Sequence, residues 1–348
     1  MVSKTDTFYA QLSLHFHGIR LTYYILELTK HLVKELRDEL YTILGESISD
    51  CKSSLIALSG GLDSTILAHF MQNKKPDSIA VIAKDFIATD LTYCQLVAKE
   101  FDLSLKIKSV STEELLIALE ECIKILKNFN DIEIRNSVVI FLVLQATKDC
   151  NQKYLVTGDG ADELFAGYNF LLKKSEADLE KELQRLWSIM HFPSIELGKA
   201  LGIEVEVPFL NERVIEFAKK VPAHLKVGIK DGKTYGKMIL RHAFEGKIPK
   251  SIVWRDKSPL QDGAGTSGLT GLFDILFDDE TFQLKKTKML ESDGVNIRTK
   301  ESLHYYEIYR KYFDEPSKLH SSKIKCPFCH FAVGKDSRFC RMCGTYPI

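Results

Sequence analysis

The sequence predicts a doubly wound α/β fold with a mostly parallel sheet. Short apolar segments with strand character alternate with helical segments along the first half of the chain, which is typical of a parallel sheet covered by helices on both faces. Glycine-rich turns follow two of these apolar segments, and ligands of open parallel sheets bind where strands end. We therefore expect a ligand site at the carboxyl edge of the sheet.

Hydrophobic periodicity predicts the elements in turn. Apolar residues recur at helical spacing over residues 21–45, which indicates one amphipathic helix before the sheet. Four short apolar strands are predicted at residues 55–59, 78–83, 105–110 and 153–157. Helices are predicted between and after them at residues 64–72, 90–101, from 111, 136–148 and from about 162. Ser111 and Glu114 have the spacing of a capping box at the start of one of these helices.

The composition is that of an ordinary globular protein. A length of 348 residues suits two domains, or one large domain with appendages, and 45% of the residues are hydrophobic. The formal net charge of zero gives no general electrostatic argument for nucleic acid or membrane binding. The sequence has no apolar run long enough to span a membrane and no signal-peptide pattern at residues 1–7. We therefore expect a cytoplasmic protein without a membrane partner.

A glycine-rich loop follows the first predicted strand and opens a helix. It reads Ser59-Gly60-Gly61-Leu62-Asp63-Ser64. The glycines let the backbone turn sharply and approach a ligand, while helix N–H groups and the helix dipole favour an anion. Asp63 would repel phosphate unless Mg²⁺ lies between them, so the loop predicts a phosphate bound through a metal. A plain glycine turn is the alternative, and the loop matches neither a Walker A motif nor a dinucleotide fingerprint.

An acidic turn follows the fourth predicted strand. Asp159, Asp162 and Glu163 lie beside Gly158 and Gly160. Three carboxylates so close together make a poor core but can bind a cation and a nucleotide phosphate. The alternative is a solvated turn whose acidic residues stabilise a helix N-terminus.

The two turns together resemble a known family. The loop at residues 59–64 resembles the PP-loop of N-type ATP pyrophosphatases, and residues 157–168 resemble the Gly-Glu-Gly-x-Asp-Glu-Leu-Phe-Gly-Gly-Tyr signature of asparagine synthetases and β-lactam synthetases. Further matches follow in chain order: Asp90-Leu91, Ile134-Arg135, Val207-Pro208-Phe209-Leu210, Lys237 with Arg241, and Trp254-Arg255-Asp256-Lys257 with Asp262-Gly263. The resemblance covers residues 30–270 or so. It implies a PP-loop (adenine nucleotide alpha hydrolase-like) sheet and transfer of AMP from ATP to a substrate.

The resemblance also implies roles for individual residues. Asp63 and Asp162 would hold Mg²⁺ on the pyrophosphate, and Lys257 would stabilise the separating phosphates. Asp159 stands where the family usually has Glu, the residue assigned to acid–base steps after adenylation, and is one methylene shorter. The candidate catalytic residues are Lys257, Asp159, Lys237 and Arg255. The candidate residues for ATP and pyrophosphate are Leu58, Ser59, Gly60, Gly61, Asp63, Ser64, Val81, Thr157 and Gly158.

Two further positions depart from the family pattern. The family segment reads Glu-x-Arg-x-Pro-Phe-Leu-Asp, whereas this chain has Glu206 in place of Arg and Asn211 in place of Asp. The reversed charge at Glu206 either removes a structural ion pair or changes which substrate fits. The sequence leaves both readings open.

Four cysteines near the end of the chain form two CxxC pairs, Cys326 with Cys329 and Cys340 with Cys343. This spacing favours a structural Zn²⁺ bound by four thiolates, with redox pairs or a metal cluster as alternatives. Basic residues around the pairs leave open an RNA or protein partner. The other cysteines are predicted to be small buried hydrophobes: Cys51, Cys94, Cys122 and Cys150.

These patterns divide the chain into four units. We expect an N-terminal helical extension over residues 1–50, an asparagine-synthetase-like PP-loop domain over 51–285, a helical or linker segment over 286–323 and a zinc ribbon over 324–348. Helices are predicted within the later units at residues 173–185, 211–221, 237–244 and 301–313.

The favoured function is that of an ATP- and Mg²⁺-dependent ligase in asparagine biosynthesis. By resemblance, it would adenylate a small carboxylate, most readily aspartate, release pyrophosphate and form an amide with ammonia or an amine. Only some fifty residues precede the phosphate loop, so we expect no glutaminase domain, and a separate subunit could supply ammonia. Two alternatives stay open: an RNA-modifying enzyme that adenylates a base, and a nucleotide-binding subunit that has lost catalysis.

Overall fold

A computed structural model describes residues 31–319, 324–335 and 337–348. Residues 31–49 are helical (α1); the earlier part of the helix predicted at residues 21–45 lies outside the described residues. α1 buries Leu40, Leu44 and Ile48 against the rest of the protein. The described part of the predicted N-terminal extension is therefore a packed helix.

A five-stranded parallel sheet forms the centre of the molecule. In chain order its strands are β1 (Leu55–Ala57), β2 (Asp77–Ala83), β3 (Ser104–Val110), β4 (Tyr154–Val156) and β5 (Glu204–Glu206). Their spatial order is β3-β2-β1-β4-β5, and every neighbouring pair is parallel. The strand order reverses between β1 and β4, so the loops after these two strands border a crevice of the kind that binds ligands.

Helices pack on both faces of this sheet. Those in the first part of the chain are α2 (Leu62–Met71), α3 (Leu91–Glu100), α4 (Thr112–Leu126), α5 (Asp131–Asp149), α6 (Ala161–Leu164), α7 (Glu176–Ser188), α8 (Pro193–Leu201) and α9 (Glu212–Lys220). The later helices are α10 (Met238–Phe244), α11 (Lys250–Val253), α12 (Leu260–Ala264), α13 (Gly268–Leu276), α14 (Asp279–Asp293), α15 (Lys300–Tyr312) and α16 (Pro316–Leu319). The predicted fold class is confirmed.

Successive residues of the central strands are buried on opposite faces, as expected for a sheet covered on both faces. Leu55 and Ile79 belong to one buried cluster, which includes residues of α4, α5, α8 and α15. Ile56 and Ala80 belong to a second cluster, which includes residues of α1, α2, α3 and α10. The sheet is therefore the boundary between two hydrophobic cores.

Local chemistry explains several element boundaries. The Ser111 side chain accepts the Glu114 N–H and the Glu114 side chain accepts the Ser111 N–H, which confirms the predicted capping box of α4. α8 begins at Pro193, a residue suited to the first helical position. A hairpin joins β6 (Gly228–Lys230) to β7 (Lys233–Tyr235), and its turn residues Asp231 and Gly232 both have positive φ.

Residues 324–348, described except for residue 336, form a C-terminal cysteine module. The cysteines of both CxxC pairs are buried in the same cluster as Tyr305, Tyr306 and Tyr309 of α15. The boundaries of the four predicted units stay predictions. No helix among the described residues is long and apolar enough to cross a membrane.

Candidate active site

The loops after β1 and β4 meet at the crevice. Gly60 has φ +66°, and a Cβ there would lie 2.5 Å from the Tyr93 Cβ and 2.7 Å from the Cys94 nitrogen. A Cβ on Gly158 would lie 2.9 Å from the Asp63 Cβ. Because neither position has space for a side chain, Gly60 lets the first loop approach α3, and Gly158 lets the second loop contact the first.

The first turn of α2 presents backbone N–H groups to this crevice. Gly61 is the N-cap residue, and it provides no side-chain cap for the first N–H groups of the helix. The Ser59 and Ser64 hydroxyls lie 3.2 Å apart across the loop, and Thr65 Oγ1 donates to the Gly61 carbonyl at 2.7 Å. Uncapped N–H groups with adjacent hydroxyls form a site for phosphate oxygens.

A cluster of two carboxylates and two lysines faces the loop. Lys237 Nζ lies 2.8 and 2.6 Å from the two carboxylate oxygens of Asp63 and 2.7 Å from Asp162 Oδ1. Lys257 Nζ contacts the other oxygen of Asp162. The side chain of Lys237 is only 4% exposed, so these charges interact in a largely desolvated place where electrostatic effects are strong.

The electrostatics keep Asp162 and Lys257 ionised. Burial acts against ionisation of Asp162, but the Lys237 and Lys257 ammonium groups outweigh it and hold the pKa of that carboxyl below its usual value. Burial also acts to lower the pKa of Lys257, yet the Asp162 and Asp63 carboxylates raise that pKa above its usual value. Lys257 therefore carries its positive charge throughout the physiological pH range.

The donor set fits a divalent cation. The carboxylates of Asp63 and Asp162 both contact one positively charged group, the Lys237 ammonium. Asp162 Oδ1 is buried and has Lys237 Nζ at 2.7 Å. Carboxylate oxygens on either side of a phosphate-binding loop are the ligands that Mg²⁺ prefers. The predicted pair Asp63 and Asp162 is thus brought together.

Arg255 supports the phosphate loop from the side of α3. Its guanidinium carbon lies 3.6 Å from the centre of the Tyr93 ring, and Nη1 donates to the Gly60 carbonyl at 3.1 Å. Nη2 lies 2.5 Å from Asp90 Oδ1. Burial raises the pKa of Asp90, and the Arg255 guanidinium opposes that rise. We conclude that Arg255 holds the loop in place through its contacts with Asp90, Tyr93 and Gly60.

An apolar pocket adjoins the phosphate loop. The predicted residues Leu58, Val81, Thr157 and Gly158 line the same cavity as Asp159, Lys237 and Lys257. The cavity is also lined by residues of α5 that were not predicted for the site: Val139, Ile140 and Val143. The sequence showed α5 only as a buried helix, with no sign that one of its faces borders a ligand.

Asp159 lies at the β4 side of the cavity. Its Oδ2 accepts hydrogen bonds from Thr157 Oγ1 at 3.0 Å and from Ser194 Oγ at 2.5 Å. Burial raises the pKa of Asp159, these two hydrogen bonds oppose the rise, and the charges of Asp162 and Asp63 add to it. Ser194 is in the first turn of α8, a helix that was not predicted, although Pro193 marks its start.

The structure shows which groups Glu206 contacts. Its two carboxylate oxygens accept the backbone N–H groups of Lys52 and Ser53, each at 2.8 Å. It does not line the cavity beside the phosphate loop. Asn211 caps α9 by accepting the Arg213 N–H at 3.0 Å. Both departures from the family pattern therefore have structural partners in this chain.

Replacing Glu206 with alanine is expected to lower the free energy of unfolding by about 1–2 kcal/mol, because two backbone donors lose a charged acceptor. Kinetic constants of the site should be unchanged. Urea unfolding measures the free energy of unfolding, and steady-state kinetics measure the kinetic constants. Glu204→Gln on the same strand is the control, since the Glu204 side chain is 59% exposed and its loss should be almost neutral. A change in substrate preference in the Glu206 variant would show that the structural reading is wrong.

The four C-terminal thiols form a second, separate site. All four sulfur atoms lie within 4.8 Å of one another and are buried. Cys326 Sγ is 3.8 Å from Cys343 Sγ, and Cys329 Sγ is 3.6 Å from Cys340 Sγ. Four thiolates around one point fit tetrahedral Zn²⁺ and leave no open coordination position.

Fold and site together define a nucleotide-phosphate-binding α/β domain, in which a glycine loop and a helix N-terminus meet paired carboxylates and lysines at the strand-order reversal. The chain matches the asparagine synthase family over residues 35–195 and 196–331. It belongs to this family.

The chain is similar in sequence to several asparagine synthetases. The chain is 28% identical over 283 residues to asparagine synthetase B [glutamine-hydrolyzing] of Escherichia coli (strain K12), covering 75% of this chain and 50% of that protein. It is 30% identical over 275 residues to asparagine synthetase [glutamine-hydrolyzing] of Gallus gallus, covering 74% and 48%. It thus spans about half the length of these relatives. The NMN synthetase structure from Francisella tularensis, with a TM-score of 0.36 and 14% identity over 80% of this chain and 93% of that one, is too distant to support a functional conclusion.

Proposed function

We propose that this chain is an ATP-dependent ligase that adenylates a carboxylate, most readily aspartate, and converts the adenylate to an amide with ammonia or an amine. The observation that carries this proposal is the cluster of Asp63, Asp162, Lys237 and Lys257 against the uncapped start of α2. Family membership supports the same chemistry. Aspartate is proposed because the relatives are asparagine synthetases.

In the first step the substrate carboxylate attacks the α-phosphorus of ATP and pyrophosphate leaves. The α2 N–H groups and the Ser59 and Ser64 hydroxyls hold the phosphates of the leaving group. Lys257, charged and partly buried, offsets the negative charge that develops on that group. Mg²⁺ held by Asp63 and Asp162 would neutralise further phosphate charge when bound.

In the second step a nitrogen nucleophile displaces AMP from the acyl carbon. Asp159 is the candidate base for the nucleophile's proton, since its carboxylate lines the cavity and its pKa is raised. Ser194 and Thr157 keep that carboxylate in one orientation. We propose that the nitrogen nucleophile is ammonia, because the relatives are glutamine-hydrolyzing by name and glutamine hydrolysis releases ammonia.

The test is pyrophosphate release from MgATP by purified, zinc-replete protein with aspartate and ammonium present or omitted. The proposal expects release that depends on aspartate, with asparagine and AMP formed in equal amounts. Release without aspartate but with total tRNA would favour the RNA-modifying alternative. Absence of release with every carboxylate and amine tried would favour a nucleotide-binding subunit.

We also propose that the four C-terminal cysteines bind one Zn²⁺. Purified protein is expected to contain about one zinc per chain, and Cys340→Ser should lose it, because three thiolates hold the metal less tightly. Metal content measured by mass spectrometry checks this. Cys150→Ser is the matched control, since Cys150 lies outside the thiol cluster. Visible absorption of an iron–sulfur cluster in place of zinc would contradict the assignment.

A further inference from the structure

The second CxxC pair of the cysteine module lies on the connection between α4 and α5. The Phe129 N–H donates to the Met342 carbonyl at 3.0 Å. Arg298 Nη2 donates to the Cys343 carbonyl at 3.0 Å. A Cβ on Gly344 would lie 2.6 Å from Asn130 Oδ1. The module therefore sits in close backbone contact with the start of α5, whose later residues line the nucleotide cavity.

Arg341, between the last two cysteines, reaches from the module to a different segment. Its Nη2 donates to the Ile189 carbonyl at 2.7 Å. Residues 189–192 connect α7 to α8 and have no helical structure. Burial raises the pKa of Glu133 on α5, and the Arg341 charge opposes that rise. Arg341 thus joins the module to the α7–α8 connection by a hydrogen bond, and its charge acts on Glu133 of α5.

The α7–α8 connection leads directly to a residue of the active site. Ser194 lies five residues beyond Ile189, is 2% exposed and donates to Asp159. The backbone of residues 189–192 makes few hydrogen bonds. The Ile189 N–H donates to the Leu186 carbonyl, and the Phe192 carbonyl accepts the Ile195 N–H. Ser194 itself lies in the first turn of α8, whose buried residues include Leu197 and Gly198. The connection that leads into this turn is contacted from outside by Arg341.

We propose that the cysteine module is an internal brace for the catalytic pocket. The metal-bound module fixes Arg341, Arg341 fixes residues 189–192, and these hold Ser194 on Asp159. Ser194 and Arg341 are positioning residues, because they act through Asp159. The inference rests on the proposed function for its catalytic consequence.

Loss of the brace should change the pH dependence of amide formation in a direction that the contacts of Asp159 determine. Asp159 faces the charges of Asp162 and Asp63, which favour its protonated form, and the hydroxyls of Ser194 and Thr157, which favour the carboxylate. Without the Ser194 hydrogen bond the carboxylate is less stable, so its pKa rises further. If Asp159 acts as a base, the acidic limb of the rate profile for amide formation moves to higher pH.

The experiment uses the full zinc-loaded chain with Arg341→Ala, Arg341→Lys and Ser194→Ala. Arg338→Ala is the matched control, because Arg338 is an exposed arginine in the same module. Zinc content, MgATP affinity, hydrogen exchange of residues 189–196 and the pH profile of amide formation are measured for each.

The brace predicts that Arg341→Ala keeps zinc and MgATP binding but exchanges faster at residues 189–196. Amide formation should fall on the order of tenfold, the usual worth of one hydrogen bond to a charged group, and Arg341→Lys should recover part of it. The acidic limb of the pH–rate profile of Arg341→Ala should move to higher pH, as in Ser194→Ala. Arg338→Ala should have the rate and pH profile of the unmodified chain.

Unchanged exchange at residues 189–196 in Arg341→Ala overturns the brace, and so does an unchanged rate and pH profile. If the unmodified chain forms no amide, the proposed function fails, while the exchange measurement still decides whether the brace exists.

Discussion

Replacing Lys257 with glutamine is expected to lower the rate of pyrophosphate release by about 10²–10³-fold, the usual cost of removing one group that stabilises developing charge. Lys257 reaches the site from the segment after α11 and contacts Asp162. The Asp162 and Asp63 carboxylates raise its pKa against the effect of burial, so its charge is present at every pH where the enzyme would work. Single-turnover kinetics with radiolabelled ATP measure this step.

MgATP affinity should change little in this variant. Lys237 still contacts both Asp63 and Asp162, and the phosphate loop is held by Arg255 and not by Lys257. Lys220→Gln is the matched control, because this lysine is exposed on α9 and its loss should leave the rate unchanged. If Lys257→Gln weakens MgATP binding and keeps the rate of the bound complex, Lys257 is a ground-state binding residue and the catalytic assignment is wrong.

Gly60→Ala is expected to combine a folding defect with loss of the phosphate site. The new Cβ would meet the Tyr93 Cβ at 2.5 Å and the backbone of residues 93–94 at 2.7 Å, contacts that require α3 or the loop to move. Strain from the positive φ costs about 1–2 kcal/mol, and overpacking adds about 1–3 kcal/mol. A loop displaced by about 1 Å would lower the rate of pyrophosphate release on the order of 10²-fold.

Gly232→Ala separates the two causes of this defect. Gly232 also has positive φ, +78°, but a Cβ there meets nothing within 4 Å. This variant should lose only the strain component of about 1–2 kcal/mol and keep normal kinetics. Thermal unfolding and MgATP titration of both variants make the comparison. Equal stability losses with equal activity would mean that the close approach of α3 to the phosphate loop is not required.

The sequence predicted the sheet well because its signals are local. The predicted strands at residues 78–83 and 105–110 agree within one residue with β2 and β3, since both are apolar or alternating segments of ordinary length. β5 and α8 were not predicted. β5 has only three residues, two of them glutamates, and its strand structure depends on pairing with β4. The β6–β7 hairpin was also missed, although its Asp231-Gly232 turn is a recognisable signal.

The sequence by itself determined the strand–loop–helix pattern, the glycine loop at residues 59–64 and the spacing of the four cysteines, because turn chemistry and side-chain periodicity act over a few residues. Only the tertiary structure decided that Lys237 joins Asp63 to Asp162, that Glu206 binds the chain before β1, and that Ser194 meets Asp159. These partners are 35 to 174 residues apart along the chain. Such contacts depend on strand order and helix packing, which the whole folded chain sets at once.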